Sequence, residues 1–415
     1  MPSIHFLDVT NRDGVQTART GLSKFGKVMV NYYLGRLGVA QSEIGFPFLF
    51  HEVPYVRACL ALAEAGAFGD LRLSGWCRAV PADVEAAVAV AAPGGQRLRH
   101  YNVSISTSDQ MIVNKFRGRL DREAIIGEMT AAVTAARAGG AETIGVNAED
   151  GSRTDDGYLL EFALAAREAG ASRVRYCDTI GGDSPGRIRE RFAKLASAVG
   201  IPVETHCHND LGMAVANSLS GALGDLDAGQ DAWVNTCVNG IGERSGNADL
   251  LSCILAFSHA IGVADTAPIG DKLDLSWARR FGLWASYAFG QPLPQNQPGT
   301  GVNAFAHESG IHADGALKDR QNYELYDDGA LGPFPADWFA TRGRVVLTGE
   351  YGGMAGFRHV MDGLAIEVGP DDADLVFRLV QLCASATSKP LTDDELRLIA
   401  AYPRELSLLF PGQLS

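Results

Sequence analysis

Eight short apolar runs alternate with longer stretches of helical spacing over the first 262 residues. The fold class this predicts is α/β: a (β/α)8 TIM barrel followed by smaller, mainly helical C-terminal subdomains. Two further observations support it. Eight units in about 260 residues match the length of a closed barrel, with an open doubly wound sheet as the competing arrangement. After Gly262 the alternation stops.

In chain order, the first strand is expected at 4–9, where Ile4, Phe6, Leu7 and Val9 are apolar, and helical spacing follows at 24–37. The second strand, 39–45, leads to a helix at 53–65, and the third, 71–77, to a helix at 81–92. The fourth, 100–106, leads to a long helix at 122–138, and the fifth, 142–147, to one at 157–169. The sixth, 173–178, precedes 185–199; the seventh, 202–208, precedes 211–226; the eighth, 231–237, precedes 248–261. Gly66, Gly139, Gly170, Gly200 and Gly229 follow five of these helices, where a left-handed residue is wanted. The chain then divides into a barrel (1–262), a linker or arm (263–301), a lid subdomain (302–360) and a C-terminal helical subdomain (361–415). Residues 290–301 are rich in Pro, Gln and Gly, as in an extended connection. Residues 370–401 read as two helical pieces broken near Ser388-Lys389-Pro390.

Composition narrows the function. With 415 residues, 46% hydrophobic and 20% charged, the chain is an ordinary globular protein. Its net charge is −13 and its longest basic run is Arg279-Arg280, so no nucleic-acid partner is expected. No membrane span is expected either, since no run of about 18 apolar residues appears. The N-terminus lacks the basic and apolar regions of a signal peptide. Seven cysteines, an odd number with no CxxC pair, predict reduced thiols in a cytoplasmic protein.

Barrel active sites lie at the C-terminal ends of the strands. Strand 7 ends in Glu204-Thr205-His206-Cys207-His208-Asn209-Asp210. Residues two apart on a strand share a face, so His206 and His208 point together and Cys207 points away. The pair could chelate a metal or form a hydrogen-bonded core pair. Strand 1 runs into Arg12-Asp13-Gly14. Alone that is a turn; with the histidines, Asp13 supplies a carboxylate for a two-His, one-carboxylate site and Arg12 a cation for a developing oxyanion. After strand 5, Glu149 is a candidate general base, and after strand 6, Thr179 is a donor to a carboxylate. The loop after strand 8 holds Gly240, Gly242 and Gly246, which permits close backbone approach to a ligand.

These pieces resemble a family. Arg-Asp-Gly after strand 1, His206-Cys207-His208-Asn209-Asp210, Gly240-Ile241-Gly242-Glu243-Arg244-Ser245-Gly246-Asn247 and, beyond the barrel, His307-Glu308-Ser309-Gly310-Ile311-His312 are similar to the DRE-TIM metallolyases, in the 2-isopropylmalate and homocitrate synthase branch. The resemblance implies a divalent metal (Mn2+, Mg2+, Zn2+ or Co2+) held by Asp13, His206 and His208, with Asn247 beside it as a ligand or through water. It implies a Claisen-type condensation of acetyl-CoA with a 2-oxo acid, followed by thioester hydrolysis: an acyltransferase. Arg12 would stabilise the alkoxide, and Glu149 or His312 would be the base. Thr179, with Asn11, Gln16, Trp76 and Arg78, would line the oxo-acid site, and Gly242, Arg244 and Lys318 would meet CoA. His312 and Tyr323 match a post-barrel lid that in the family reaches over a partner's barrel, which implies a homodimer with shared sites. His307 is expected to be structural.

Within the family, a lyase would carry a cysteine in the strand 8 loop, and 238–245 has none. A non-catalytic paralogue would have lost a metal position, and none is lost. The length leaves little room for a leucine-sensing domain, so no leucine feedback is expected. Homocitrate synthases hold a distal carboxylate with an Arg where this chain has Ile112, and with a His where strand 3 ends in Trp76-Cys77-Arg78. Gly349-Glu350-Tyr351-Gly352-Gly353 also departs from the family's Gly-Lys-His-Ser-Gly, for which there is no physical account. Asn11, Trp76, Gln110, Asn114, Lys115 and Arg117 are expected to make the mouth polar and partly cationic. That suits a 2-oxo acid with a short anionic tail, as in the 2-phosphonomethylmalate and 2-phosphinomethylmalate synthases, or oxaloacetate. Homocitrate and 2-isopropylmalate synthesis are the alternatives.

Overall fold

The computed structural model describes residues 1–334, 348 and 352–414. Eight parallel strands close in sequence order into a barrel: β1 (Ile4–Asp8), β2 (Gln41–Glu43), β3 (Arg72–Arg78), β4 (His100–Ser106), β5 (Thr143–Glu149), β6 (Arg173–Asp178), β7 (Val203–Cys207) and β8 (Ala232–Thr236). The ring closes where Ile4 pairs with Ala232 and Asp8 with Thr236. The expected barrel is therefore the observed one, and the open sheet is excluded.

Between the strands run α1 (Lys24–Leu37), α2 (Val53–Glu64), α3 (Pro81–Val88), α4 (Asp109–Asn114), α5 (Arg122–Ala138), α6 (Asp156–Ala169), α7 (Pro185–Val199), α8 (Ala214–Asp227) and, after β8, α9 (Leu250–His259). The short α4 was not expected. It starts because the Ser108 hydroxyl accepts from the Met111 amide at 3.2 Å, an N-cap inside the strand 4 loop. Gly139 also differs from expectation. Its φ is −76°, in the right-handed region, and the reversal falls one residue later at Gly140, φ 89°. Gly139 is needed for space instead: a Cβ there would stand 2.7 Å from the Val88 side chain.

The main apolar core lies between strands and helices. A small second cluster of Leu7, Val9, Trp233 and Cys237 lies apart from it. Much of the barrel interior is polar or charged. Gln41, Glu43, Asn102, Arg173, Arg175, Glu204 and Asn235 are all buried, where such barrels usually stack branched apolar residues.

The stretch read as a linker contains a helix, α10 (Ala278–Phe289), with Trp284 fully buried. It packs on α1 through Tyr33, whose ring stacks on Phe281 at 5.4 Å. Beyond it come α11 (Gly310–Lys318), α12 (Met354–Gly363), α13 (Ala373–Thr387), α14 (Asp393–Ala401) and α15 (Pro403–Ser407). The break expected near 388–390 is present: Ser388 is left-handed and Thr392 opens α14 with a capping box. Asp394 accepts from the Tyr33 hydroxyl at 2.7 Å and from Arg280 at 2.5 Å, so α14 is stitched to the barrel's first helix. By contrast, α11 has no buried residue, and Ile311, Leu317 and Leu325 are exposed. Among the described residues no helix is long and apolar enough to cross a membrane, and the seven cysteines are free and buried.

Candidate active site

The turn after β1 builds one wall. The amides of Arg12, Asp13 and Gly14 all point at the Val9 carbonyl, at 2.9, 2.8 and 3.3 Å. That tight wrap carries the Arg12 and Asp13 side chains to the barrel mouth. From β7, His206 and His208 face the same point, and the backbone beyond β7 bridges His208 to Asn247. Asp13 Oδ2 lies 3.2 Å from His206 Nε2 and 3.8 Å from His208 Nε2. Asn247 Nδ2 donates to the same oxygen at 2.8 Å. The four residues expected to surround a metal are therefore together and buried.

The electrostatics follow from burial and neighbours. Burial alone would raise the Asp13 carboxyl, but Arg12 and the two imidazoles outweigh it and hold it well below the usual range. Burial, with His206 alongside, pushes His208 down to about 4, so near neutral pH its ring is uncharged and able to ligate. Asn247 Oδ1 and His208 Nδ1 are buried without a hydrogen-bond partner. Two imidazoles and a carboxylate within one small volume, with the spare amide oxygen of Asn247 beside them, fit a first-row divalent cation.

Arg12 is gripped from behind. Its Nε donates to Glu43 Oε1 at 2.6 Å, and Nη1 lies 3.6 Å from Asp13. Nη2 is buried with no partner, a free donor beside the Asp13–histidine cluster. Glu43 is also held by Arg175 at 2.9 Å and by Asn102 at 2.6 Å. Burial would raise its carboxyl, yet Arg175 and Arg12 bring it down to about 2. Arg175 continues to Glu204 at 2.5 Å. Sequence reasoning missed Glu43, Arg175, Glu204 and Asn235. The signal was present: polar or charged residues at every second position of Gln41-Ser42-Glu43, Arg173-Val174-Arg175 and Glu204-Thr205-His206 share a face.

The remaining expected residues separate into near and far. Trp76 lies beside Arg12, whose guanidinium carbon is 5.9 Å from the ring centre. It also lines a cavity of about 460 Å³ with Ser106, Lys115, Phe116 and Glu149. There Glu149 is not free: Lys115 donates to both its oxygens at 2.8 Å and Ser106 to one at 2.6 Å. The Thr179 hydroxyl accepts from the Asp150 amide at 2.9 Å. Gly242 backs the Asn247 side chain so closely that a Cβ would stand 2.8 Å from it. Arg244 forms a two-pronged pair with Asp210 at 2.8 and 2.9 Å. Arg78 lines the same cavity as Trp76 while pairing with Asp83. Two residues turn away: Asn11 is buried and donates to α1, to Lys27 O and Asn31, and Gln16 is exposed on the rim. His312 and Tyr323 stack on each other at 4.3 Å on the outside, with no hydrogen bond to this chain's barrel among the described residues. His307 lies 3.4 Å from Glu324, beside that pair. Of the departure at 349–353, residues 349–351 lie outside the described residues.

A family model described as HMGL-like matches residues 3–277, the barrel and its metal-type cluster together. The chain belongs to the HMGL-like family. A second model, the homocitrate synthase post-HMGL domain-like region, matches residues 300–387. The chain is 52% identical over 99% of both chains to a citrate (Re)-synthase of Dehalococcoides mccartyi. It is 34% identical to 2-isopropylmalate synthase 2 of Caldanaerobacter subterraneus, over 95% of this chain and 94% of that one. Among solved structures, the HMG-CoA lyase of Bacillus subtilis superposes with a TM-score of 0.55 at 19% identity, covering 71% of this chain and 97% of the other. At that identity the likeness concerns the fold. For this HMGL-like chain, the expected branch and the expected post-barrel region both hold.

Proposed function

We propose that this protein condenses acetyl-CoA with oxaloacetate and hydrolyses the thioester, giving citrate and CoA. The observation that carries the reaction class is the convergence of Asp13, His206 and His208 beside the unpaired Nη2 of Arg12. The choice of oxo acid is supported by the Dehalococcoides relative; the cavity at Trp76 is mainly apolar, and the polar groups it offers an anionic tail are the Ser106 hydroxyl and the Lys115 ammonium that Glu149 already shares.

A divalent cation held by Asp13, His206, His208 and Asn247 would polarise the keto group of the oxo acid. Arg12 Nη2 is the donor for the oxygen that gains charge as the new carbon–carbon bond forms. The base takes one methyl proton from acetyl-CoA, the methyl carbon attacks the keto carbon, and the keto oxygen ends as a hydroxyl. Water then cleaves the thioester, leaving a carboxylate and the CoA thiol. Glu149 can serve as base only if Lys115 releases it. His312 and Tyr323 can serve only if a second copy brings them, and the bare apolar surface of α11 suits such a homodimer. Gly242 gives the strand 8 loop its close approach to Asn247, and Thr179 orients the β5 loop.

A second reading takes a phosphonopyruvate-type acid in place of oxaloacetate, with its tail toward the same Ser106 and Lys115. A thiol-release assay across oxaloacetate, phosphonopyruvate, 2-oxoglutarate, 2-oxoisovalerate and pyruvate decides. Oxaloacetate is expected to be fastest; preference for 2-oxoisovalerate would refute the anionic-tail argument.

A further inference from the structure

The two histidines of the site are held differently. His208 Nδ1 has no partner, whereas His206 Nδ1 lies 2.8 Å from Asn235 Oδ1. A chain behind Asn235 sets the orientation of its amide. Asn235 Nδ2 is 2.9 Å from Glu204 Oε1. Arg175 Nε reaches that oxygen at 2.5 Å, and Arg173 Nε reaches Oε2 at 3.1 Å. A guanidinium has donors only, so both Glu204 oxygens accept, and the end of Asn235 that faces them must be its nitrogen. The amide oxygen is then turned to His206. An amide oxygen cannot donate, so His206 Nδ1 carries a hydrogen. In the neutral ring the lone pair is left on Nε2, the atom 3.2 Å from Asp13.

We propose that Asn235 is a positioning residue: with Glu204, Arg173 and Arg175 behind it, it fixes His206 in the Nδ1–H form and aims the Nε2 lone pair into the site. His206 is then a ready-made ligand for a divalent cation, while His208 takes its orientation from the cation. This inference rests on the metal-dependent reading above. A merely structural role is a poor account of the relay. Glu204 and Arg175 are wholly buried and Asn235 nearly so, and ion pairs buried at such depth can often be replaced by apolar residues without loss of stability. Here the expense ends on the ring nitrogen opposite the one that faces Asp13. Outer partners of this kind commonly govern roughly 10- to 100-fold in metal affinity.

The test uses the full chain, stripped of metal by chelation and labelled with 15N-histidine. In the metal-free wild type, imidazole 15N shifts are expected to report a hydrogen on His206 Nδ1. Asn235→Ala is expected to lose that fixed form and to bind Mn2+ roughly 10- to 100-fold more weakly by calorimetry. Asn235→Asp keeps one oxygen facing His206 and, with a proton on the oxygen that faces Glu204, is expected to retain the Nδ1–H form. In the wild type, a His206 ring with a hydrogen on Nε2 and none on Nδ1, or wild-type Mn2+ affinity in folded Asn235→Ala, overturns the proposal. If Asn235→Ala does not fold, the wild-type shifts and the Asp variant still decide. If the wild type binds no Mn2+, the metal-dependent reading fails, and the shifts judge the relay separately.

Discussion

Glu43→Gln tests whether the buried charge network holds the site together. Glu43 accepts from Arg12 at 2.6 Å, from Arg175 at 3.2 and 2.9 Å, and from Asn102 at 2.6 Å, at zero exposure. The amide would turn an N–H toward donors and leave two buried guanidiniums short of a counter-charge. Breaking such a pair costs about 3–5 kcal/mol. The carboxyl itself gives a second route to the number. Its fall from 4.5 to about 2 in the folded chain corresponds to about 3 kcal/mol. Because the folded value is depressed, this stabilisation is complete above pH 4.5 and is lost as pH falls through about 2. Urea denaturation of both proteins at pH 7 and pH 3 is the assay. The variant is expected to be less stable by about 3 kcal/mol at pH 7, with the gap narrowing to about 1 kcal/mol at pH 3. A gap at pH 7 below about 0.5 kcal/mol, the usual scatter of a surface change, would refute the reasoning.

Asp8 has the opposite sign. Burial pushes its carboxyl up to about 7, so the folded chain holds the proton more tightly and loses stability as pH rises from about 4 through 7. Asp8→Asn is expected to escape that loss and to gain up to about 4 kcal/mol on wild type by pH 8; parallel urea curves from pH 5 to 8 would contradict it. His206→Ala and His208→Ala are each expected to abolish stoichiometric divalent metal in the purified protein, measured by mass spectrometry of the metal; retention in either would count against the ligand assignment. For shared sites, Arg12→Ala and His312→Ala are each expected to be inactive alone. Mixed and refolded together, they should regain about a quarter of wild-type activity, since half the dimers are mixed and carry one intact site; no recovery means that the sites are not shared. Leucine at millimolar concentration is expected to leave the activity unchanged, and measurable inhibition would overturn that.

The barrel was legible because a parallel sheet with helices outside forces its apolar periodicity into the sequence. The metal-type cluster was legible for a related reason: Asp13, His206 and His208 stand at predicted strand ends, and strand ends share one rim. What escaped was set by contacts distant in sequence. Glu43 meets Arg175 across 132 residues, and no spacing rule links them. Asn11 was placed at the mouth by position, but Lys27 and Asn31 offered nearer partners and turned it elsewhere. Likewise α10 lay hidden in a stretch next to a Pro- and Gln-rich tract, because its burial comes from Tyr33 and α14 rather than from its immediate neighbours.

The pairing of charges also revises what the −13 balance demands. The sequence suggested that a few local cations would hold an anionic ligand. In the fold, Arg78, Lys115, Arg244 and Lys318 each carry a carboxylate partner. Inside the barrel Arg12, Arg173 and Arg175 meet Asp13, Glu43 and Glu204, three charges against three. The buried network thus neutralises itself, and in doing so it fixes Arg12 and His206 in place. With His208 neutral near pH 7, it offers a dianionic oxo acid directed donors but no surplus positive charge. On the proposed reading that surplus has to come from the divalent cation, so oxo-acid affinity should follow occupancy of the Asp13–His206–His208 site.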